Sequence, residues 1–288
     1  MLILGKANLR NKIETDKLFF RFLLLIKFSY LCPKISPFMK RAIIIGATSG
    51  IGRAVAKALL EQEWQVGIAG RREHLLRELE SEAGGDRVFS ERMDVTQEAA
   101  TEALDRLIAR MGEVDLLLFA SGIGRQNRVL DEHIELSTVQ TNCEGMVRIV
   151  DHFINHVKHS SAYSAKRKAH IAVITSVAGT TGIGTAPAYS ATKKMQSTYL
   201  IALSQLIRME RLPITLSDIR PGFVRTEILN PEKHYPMVIS CERAAQYIIK
   251  GLARRKRIIT FDWRYRWIVF FWRMIPRWLW ERMTFVRN

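Results

Sequence analysis

The sequence predicts an α/β fold: a single doubly wound parallel-sheet domain of about seven strands with helices on both faces. Three observations carry this. From Arg41 to Thr260, short β-branched runs alternate with longer amphipathic stretches, the order that builds βαβ units. The runs are continuously apolar, as strands covered on both faces are. A glycine-rich turn, Gly46-Ala47-Thr48-Ser49-Gly50-Ile51-Gly52, follows the first of them at once.

The first strand, 41–46, contains Ala42-Ile43-Ile44-Ile45 and delivers the chain into that turn, after which the pattern takes a helical period over 51–62. A strand at 65–69 and a helix over 73–83 repeat the unit. A third strand, 87–91, leads to a helix over 97–111, and a fourth, 114–119, precedes a long helical stretch at 133–158. The polar, basic segment from Ser160 to Lys168 is expected as a surface loop before the fifth strand, 170–176. A helix over 188–210, a strand at 214–219, a helix over 241–252 and a strand at 257–261 complete the alternation. A sheet wound this way holds its ligand at the carboxyl ends of its strands.

The net charge of +16 is a nucleic-acid signal only if the folded body carries it. It does not. Residues 1–40 hold +6 and residues 254–288 hold +8, leaving +2 for 41–253. Nucleic acid is therefore not an expected partner. Cys32, Cys143 and Cys241 stand far apart with no CxxC pair, so neither a disulfide framework nor a metal site is indicated, which suits a reducing, cytoplasmic setting.

The chemistry begins at the glycine turn. Gly46 ends the strand, Gly50 lets the backbone approach a phosphate, and Gly52 opens a helix whose N-terminal N–H groups favour an anion. The second strand ends at Gly70-Arg71-Arg72, where a site for NAD would want a carboxylate for the ribose hydroxyl. Two arginines suit a 2′-phosphate, so the expected cofactor is NADPH/NADP+. Asp94, after the third strand, stands where the adenine edge is expected.

Tyr189 and Lys193 are one helical turn apart and share a face. A free phenol is a poor acid–base catalyst near neutrality, and the lysine charge is expected to favour its phenolate. Lys193 is also placed to hold the nicotinamide ribose hydroxyls. Ser176 closes the run Ile171-Ala172-Val173-Ile174-Thr175 and is expected to hydrogen-bond the substrate oxygen as charge develops there. These residues describe a nicotinamide-dependent carbonyl reductase or alcohol dehydrogenase.

Over about residues 41–260 the chain resembles the short-chain dehydrogenase/reductase family in its simple, non-extended branch. Its glycine loop is similar to TGxxxGxG with Ile45 in the place of the threonine, and Tyr189 and Lys193 match YxxxK. The resemblance implies a Rossmann-type fold and a catalytic set of Asn142, Ser176, Tyr189 and Lys193. It implies cofactor contacts from Thr48, Ser49, Ile51 and Val95 and from Pro221, Gly222, Val224 and Thr226. One segment departs. Where the family commonly has NNAG, this chain has Phe119-Ala120-Ser121-Gly122, in which Ser121 and Gly122 keep the tight turn. The implied substrate is a small-molecule carbonyl or alcohol. A cofactor-binding regulator without turnover is the alternative, disfavoured because the four catalytic residues are all present.

The ends stand apart from this catalytic domain, taken as 39–261. Residues 1–38 include the apolar stretch Leu18 to Leu31, broken by Arg21 and Lys27 and too short to span a bilayer. They are either an extension ahead of a true start at Met39 or a membrane-surface segment. The tail, 262–288, holds five of the six tryptophans among arginines, and in a helix Arg266, Arg273 and Arg277 would share one side. That composition suits peripheral attachment to the cytoplasmic face of a membrane, with a homo-oligomer contact as the alternative. The segment Phe223 to Ser240 is expected to form a lid over the substrate.

Overall fold

The computed structural model describes residues 40–84, 86–229 and 235–284. The N-terminal extension and Pro231 of the expected lid lie outside the described residues. Seven strands form the sheet: β1 (Arg41–Ile45), β2 (Gln65–Gly70), β3 (Val88–Arg92), β4 (Leu116–Phe119), β5 (Ala169–Ile174), β6 (Ile214–Arg220) and β7 (Ile258–Thr260). All pairs are parallel and the order is β3-β2-β1-β4-β5-β6-β7. The helices are α1 (Gly50–Leu60), α2 (Glu73–Ala83), α3 (Ala100–Met111), α4 (Glu132–Val139), α5 (Gly145–His159), α6 (Pro187–Met209), α7 (Cys241–Ala253), α8 (Trp263–Met274) and α9 (Arg277–Trp280).

Period-two alternation divides β1 between two cores. Ile43 and Ile45 pack with Leu104 and Leu107 of α3, Phe153 of α5 and Leu200 of α6. Ala42 and Ile44 join Val55 and Leu59 of α1, Leu76 of α2 and Ile248 of α7 on the other face. Every residue from Ala42 to Ile45 is fully buried, which is why the run carries no polar position. The strand order reverses direction between β1 and β4, and that switch opens a crevice at their carboxyl ends.

Three expected elements differ in detail. The stretch 133–158 is two helices, α4 and α5, joined by a π-helical turn at Gln140–Glu144. The wider turn leaves the hydrophobic period almost unbroken, so the pattern alone shows one helix. The helix expected from 97 starts at Ala100, after Asp94 Oδ1 has accepted bonds from the Thr96 N–H (3.0 Å) and hydroxyl (2.8 Å) in a preceding turn. After β7, α8 stops at Met274 because Ile275, ahead of Pro276, takes an extended conformation (ψ 120°). Arg277 therefore begins α9, and the expected single side of Arg266, Arg273 and Arg277 does not form on one helix.

Candidate active site

The crevice is a cleft of about 710 Å3 at the carboxyl ends of the strands. Gly46, Thr48, Ser49, Gly50, Ile51 and Gly52 form one wall, at the exit of β1 and the start of α1. Gly46 has φ +92°, and a Cβ there would lie 2.6 Å from the Ser121 nitrogen. A Cβ on Gly52 would lie 2.1 Å from the Gly46 carbonyl oxygen. Any side chain at either position would force β1, α1 and the turn after β4 apart.

The start of α1 fits a pyrophosphate. Ser49 makes no side-chain cap to the first turn, no acidic residue stands in that turn, and Gly50 has φ +57°. The first-turn amides thus present a positive end to the cleft without a side chain screening it. Thr226 sits beside Gly50 across the cleft, its Cγ2 3.3 Å from where a Cβ on Gly50 would stand.

Arg71 and Arg72 both line the cleft, on the turn after β2. Arg71 is exposed. Arg72 donates to Thr48 Oγ1 (3.0 Å) and Ser49 Oγ, and pairs with the Glu227 carboxylate at 3.0 Å. That pairing holds the Glu227 carboxyl below its usual range. Glu227 was not anticipated from the sequence; its only signal was its place directly after Thr226. Asp94 and Val95 lie along the same wall, with Val95 packed on Gly145. Ser121 and Gly122 occupy the turn after β4.

At the inner end, Ser176 lies just past β5 and Tyr189 and Lys193 lie on α6. Ser176 Oγ accepts from the Ala178 N–H (3.1 Å) and hydrogen-bonds the Tyr189 phenol. Desolvation raises the phenol's pKa and the Ser176 bond opposes it. The charge of Lys193 does not dominate that balance, contrary to expectation. Lys193 is itself buried, which lowers its ammonium pKa to about 8. Gly124 lies against the Tyr189 ring, where a Cβ would be 2.3 Å from Cδ2, so the ring is set flush with the loop after β4.

Asn142 does not line the cleft. It is fully buried in the π-helical turn, where its side chain donates to Ile123 O (2.8 Å) and Thr192 Oγ1 (3.0 Å) and accepts from the Ile123 N–H (2.9 Å). It ties the loop after β4 to α6. The remaining predicted residues, Pro221, Gly222 and Val224, follow β6 along the cleft. Val177 N–H donates to Pro221 O (3.0 Å), and Val224 forms a β-bridge with Ile239 that closes the lid segment on itself.

The contribution from α8 was not anticipated. Tyr265 is buried, its ring lies against Gly222, and its hydroxyl accepts from the Phe223 N–H (3.1 Å) and donates to Pro236 O (3.2 Å). Ile268 and Trp272 from the same helix also line the cleft.

The chain matches the short chain dehydrogenase family over residues 40–235. An uncharacterized oxidoreductase of Myxococcus xanthus is 30% identical over 233 residues, 78% of this chain and 88% of that protein. Dehydrogenase/reductase SDR family member 7B of Xenopus tropicalis is 28% identical over 65% of this chain and 61% of that protein. Among solved structures, a short-chain dehydrogenase/reductase from Burkholderia phymatum in complex with NAD superimposes with TM-score 0.70 at 21% identity, covering 87% of this chain and 96% of that one. The actinorhodin polyketide ketoreductase with NADPH does so with TM-score 0.66 at 23% identity, covering 77% and 95%. The chain belongs to the short-chain dehydrogenase/reductase family of NAD(P)-dependent oxidoreductases.

Proposed function

We propose that the protein uses NADPH/NADP+ to interconvert a carbonyl and a secondary alcohol on a lipophilic substrate that it meets at a membrane surface on the cytoplasmic side. The observation that carries the reading is one cleft with Ser176, Tyr189 and Lys193 at its inner end and apolar side chains of α8 at its mouth. Bound in it, the cofactor supplies hydride for reduction or accepts it for oxidation.

The side chains supply the rest. The Ser176 hydroxyl, with its oxygen held by the Ala178 N–H, donates to the substrate oxygen as negative charge develops. Tyr189, kept protonated by desolvation, gives its proton to that oxygen, and in oxidation takes one from it. The Lys193 ammonium, with its centre 5.8 Å from the Tyr189 ring, stabilises the phenolate left behind. The preference for NADPH is supported by Arg71 and Arg72 beside Gly70, where an NAD site would carry an acid.

Two features of α8 support the lipophilic substrate and the membrane. Beside the cleft, and sharing Ile268 and Trp272 with it, lies an apolar hollow of about 530 Å3 also lined by Trp267, Phe271, Ile275 and Trp280. On the outward face, Trp263, Trp267, Phe270 and Met274 recur at spacings of four, three and four and are all more than half exposed. Arg266 and Arg273 flank that stripe on one side and Arg264 on the other by the same helical geometry. An apolar stripe bordered by arginines suits the headgroup layer and is an aggregation liability in water. Among the described residues no helix is long and apolar enough to cross a membrane, so the attachment proposed is peripheral.

The test is turnover of purified protein with NADPH or NADH and methyl ketones of rising chain length. Consumption of NADPH, with kcat/KM rising as the chain lengthens, is expected. No consumption with any ketone or aldehyde would leave a cofactor-binding protein without turnover, and indifference to chain length would remove the lipophilic substrate.

A further inference from the structure

The Tyr189 face of α6 continues for one more turn. Tyr189, Lys193 and Gln196 follow at i, i+4 and i+7, so the three side chains lie in one stripe. Gln196 is fully buried, and a neutral amide in that place must find partners for both of its ends. Its Oε1 accepts from Lys193 Nζ at 3.0 Å, and its Nε2 donates to the backbone oxygen of Asn142 at 2.7 Å. The partners fix the orientation of the amide: an ammonium only donates and a carbonyl only accepts.

Lys193 is thereby held at two points. Its Nζ donates to Ile174 O at the end of β5 (3.0 Å) and to Gln196. The third N–H direction remains for the cleft, where Gly122 leaves room: a Cβ there would stand 3.3 Å from Nζ. The other end of Gln196 rests on the π-helical turn, whose geometry Asn142 fixes through Ile123 and Thr192.

We infer that Gln196 is a positioning residue for catalysis, aiming the Lys193 ammonium at the cleft and supporting its charge by joining it to the Asn142 carbonyl. The inference rests on the reading of Tyr189 and Lys193 as the reacting pair. Burial works against the Lys193 charge, Cys143 from the π-helical turn and Asp218 from β6 favour it, and the Tyr189 ring of its own helix faces it with the centroid 5.8 Å from Nζ. Asp218 is already engaged by Arg220 (2.6 Å) and the Thr175 hydroxyl (2.6 Å), so the acceptors in direct contact with Nζ are the Ile174 carbonyl and the Gln196 side chain, of which only the latter can be changed by substitution.

The test compares Gln196→Met and Gln196→Glu with the unsubstituted protein and Tyr189→Phe, using NADPH and a methyl ketone. Methionine removes the acceptor, so kcat should fall about tenfold, the scale of one hydrogen bond to a charged group. The alkaline limb of kcat/KM should move down by ~1 pH unit, because the ammonium loses support. Glutamate supplies an anion at the same place, so that limb should move up. Opposite shifts from two near-isosteric changes are not what a packing role produces. Unmoved limbs in both variants, or loss of NADPH binding in both, would overturn the inference in favour of packing alone. Those outcomes leave the Tyr189 reading standing so long as Tyr189→Phe is inactive; an active Tyr189→Phe overturns that reading instead.

Discussion

Arg72 and Glu227 form an ion pair of 3.0 Å that joins the turn after β2 to the loop after β6, across the mouth of the phosphate-binding wall. The guanidinium is thus shared among Thr48, Ser49 and a carboxylate. A 2′-phosphate arriving at this turn meets one arginine already neutralised by Glu227. Substituting Glu227→Gln should tighten NADPH binding several-fold and leave NADH nearly unchanged, since only the former carries the phosphate that competes with the carboxylate. Titration calorimetry with both cofactors checks this, and weaker NADPH binding would assign Glu227 a part in holding the cofactor.

Arg71 is exposed at the same turn. Arg71→Ala should weaken NADPH binding more than tenfold and NADH binding little, the loss expected for a charge-assisted contact to phosphate. Equal losses for both cofactors would show that Arg71 does not read the 2′-phosphate.

His170 on β5 predicts an acid-sensitive fold. It is buried, and its Nε2 meets Ser217 Oγ at 2.8 Å while the Ser217 hydroxyl donates to Lys256 O at 2.6 Å. The ring therefore carries its proton on Nε2 and donates it. Burial, aided by the Arg255 charge, lowers its pKa from 6.5 to about 4. Between those values the unfolded chain binds the extra proton and the folded chain does not, so stability is present above pH 6.5 and is lost as pH falls. At pH 5 the loss amounts to about 2 kcal/mol. In urea unfolding, His170→Gln should show a pH 7-to-5 drop smaller by that amount; an undiminished drop would mean that His170 is not its source.

The sheet was legible because strands buried on both faces leave an unbroken apolar run, as Ala42 to Ile45 do. The cleft was legible for a related reason: positions such as Gly46 and Gly52 have no room for a side chain, and glycine marks them in the sequence. Three things were hidden. The π-helical turn changes the helix by one residue per turn and barely disturbs the period, yet it sets Asn142 against Ile123. Gln196 lay on the Tyr189–Lys193 stripe and could have been found there as a polar residue on an inward face. Tyr265 could not: its contact with Gly222 depends on how the chain turns after β7, which no local pattern encodes.

That contact also bears on how the tail is tested. Deleting everything from Asp262 onward would remove the Tyr265 support beneath the lid as well as the outward aromatics. Trp263→Ser with Phe270→Ser changes exposed positions of α8 that line neither the cleft nor the hollow, and leaves Tyr265 in place. The double variant should lose retention on vesicles containing anionic phospholipid while keeping turnover of a short ketone, and the unsubstituted protein should be partly released by salt. If the parent protein ignores vesicles and the double variant instead breaks a dimer on size-exclusion chromatography, the stripe is a contact between copies of the chain.

Turnover by Tyr189→Phe, measured beside its NADPH affinity, decides whether the phenol carries the proton. If the phenol acts on the substrate oxygen, as proposed, and adds nothing to the grip on phosphate, kcat should fall by ~10²–10⁴-fold, the span of general acid–base catalysis, with NADPH affinity almost unchanged. Turnover close to that of the unsubstituted protein would remove Tyr189 from the chemistry.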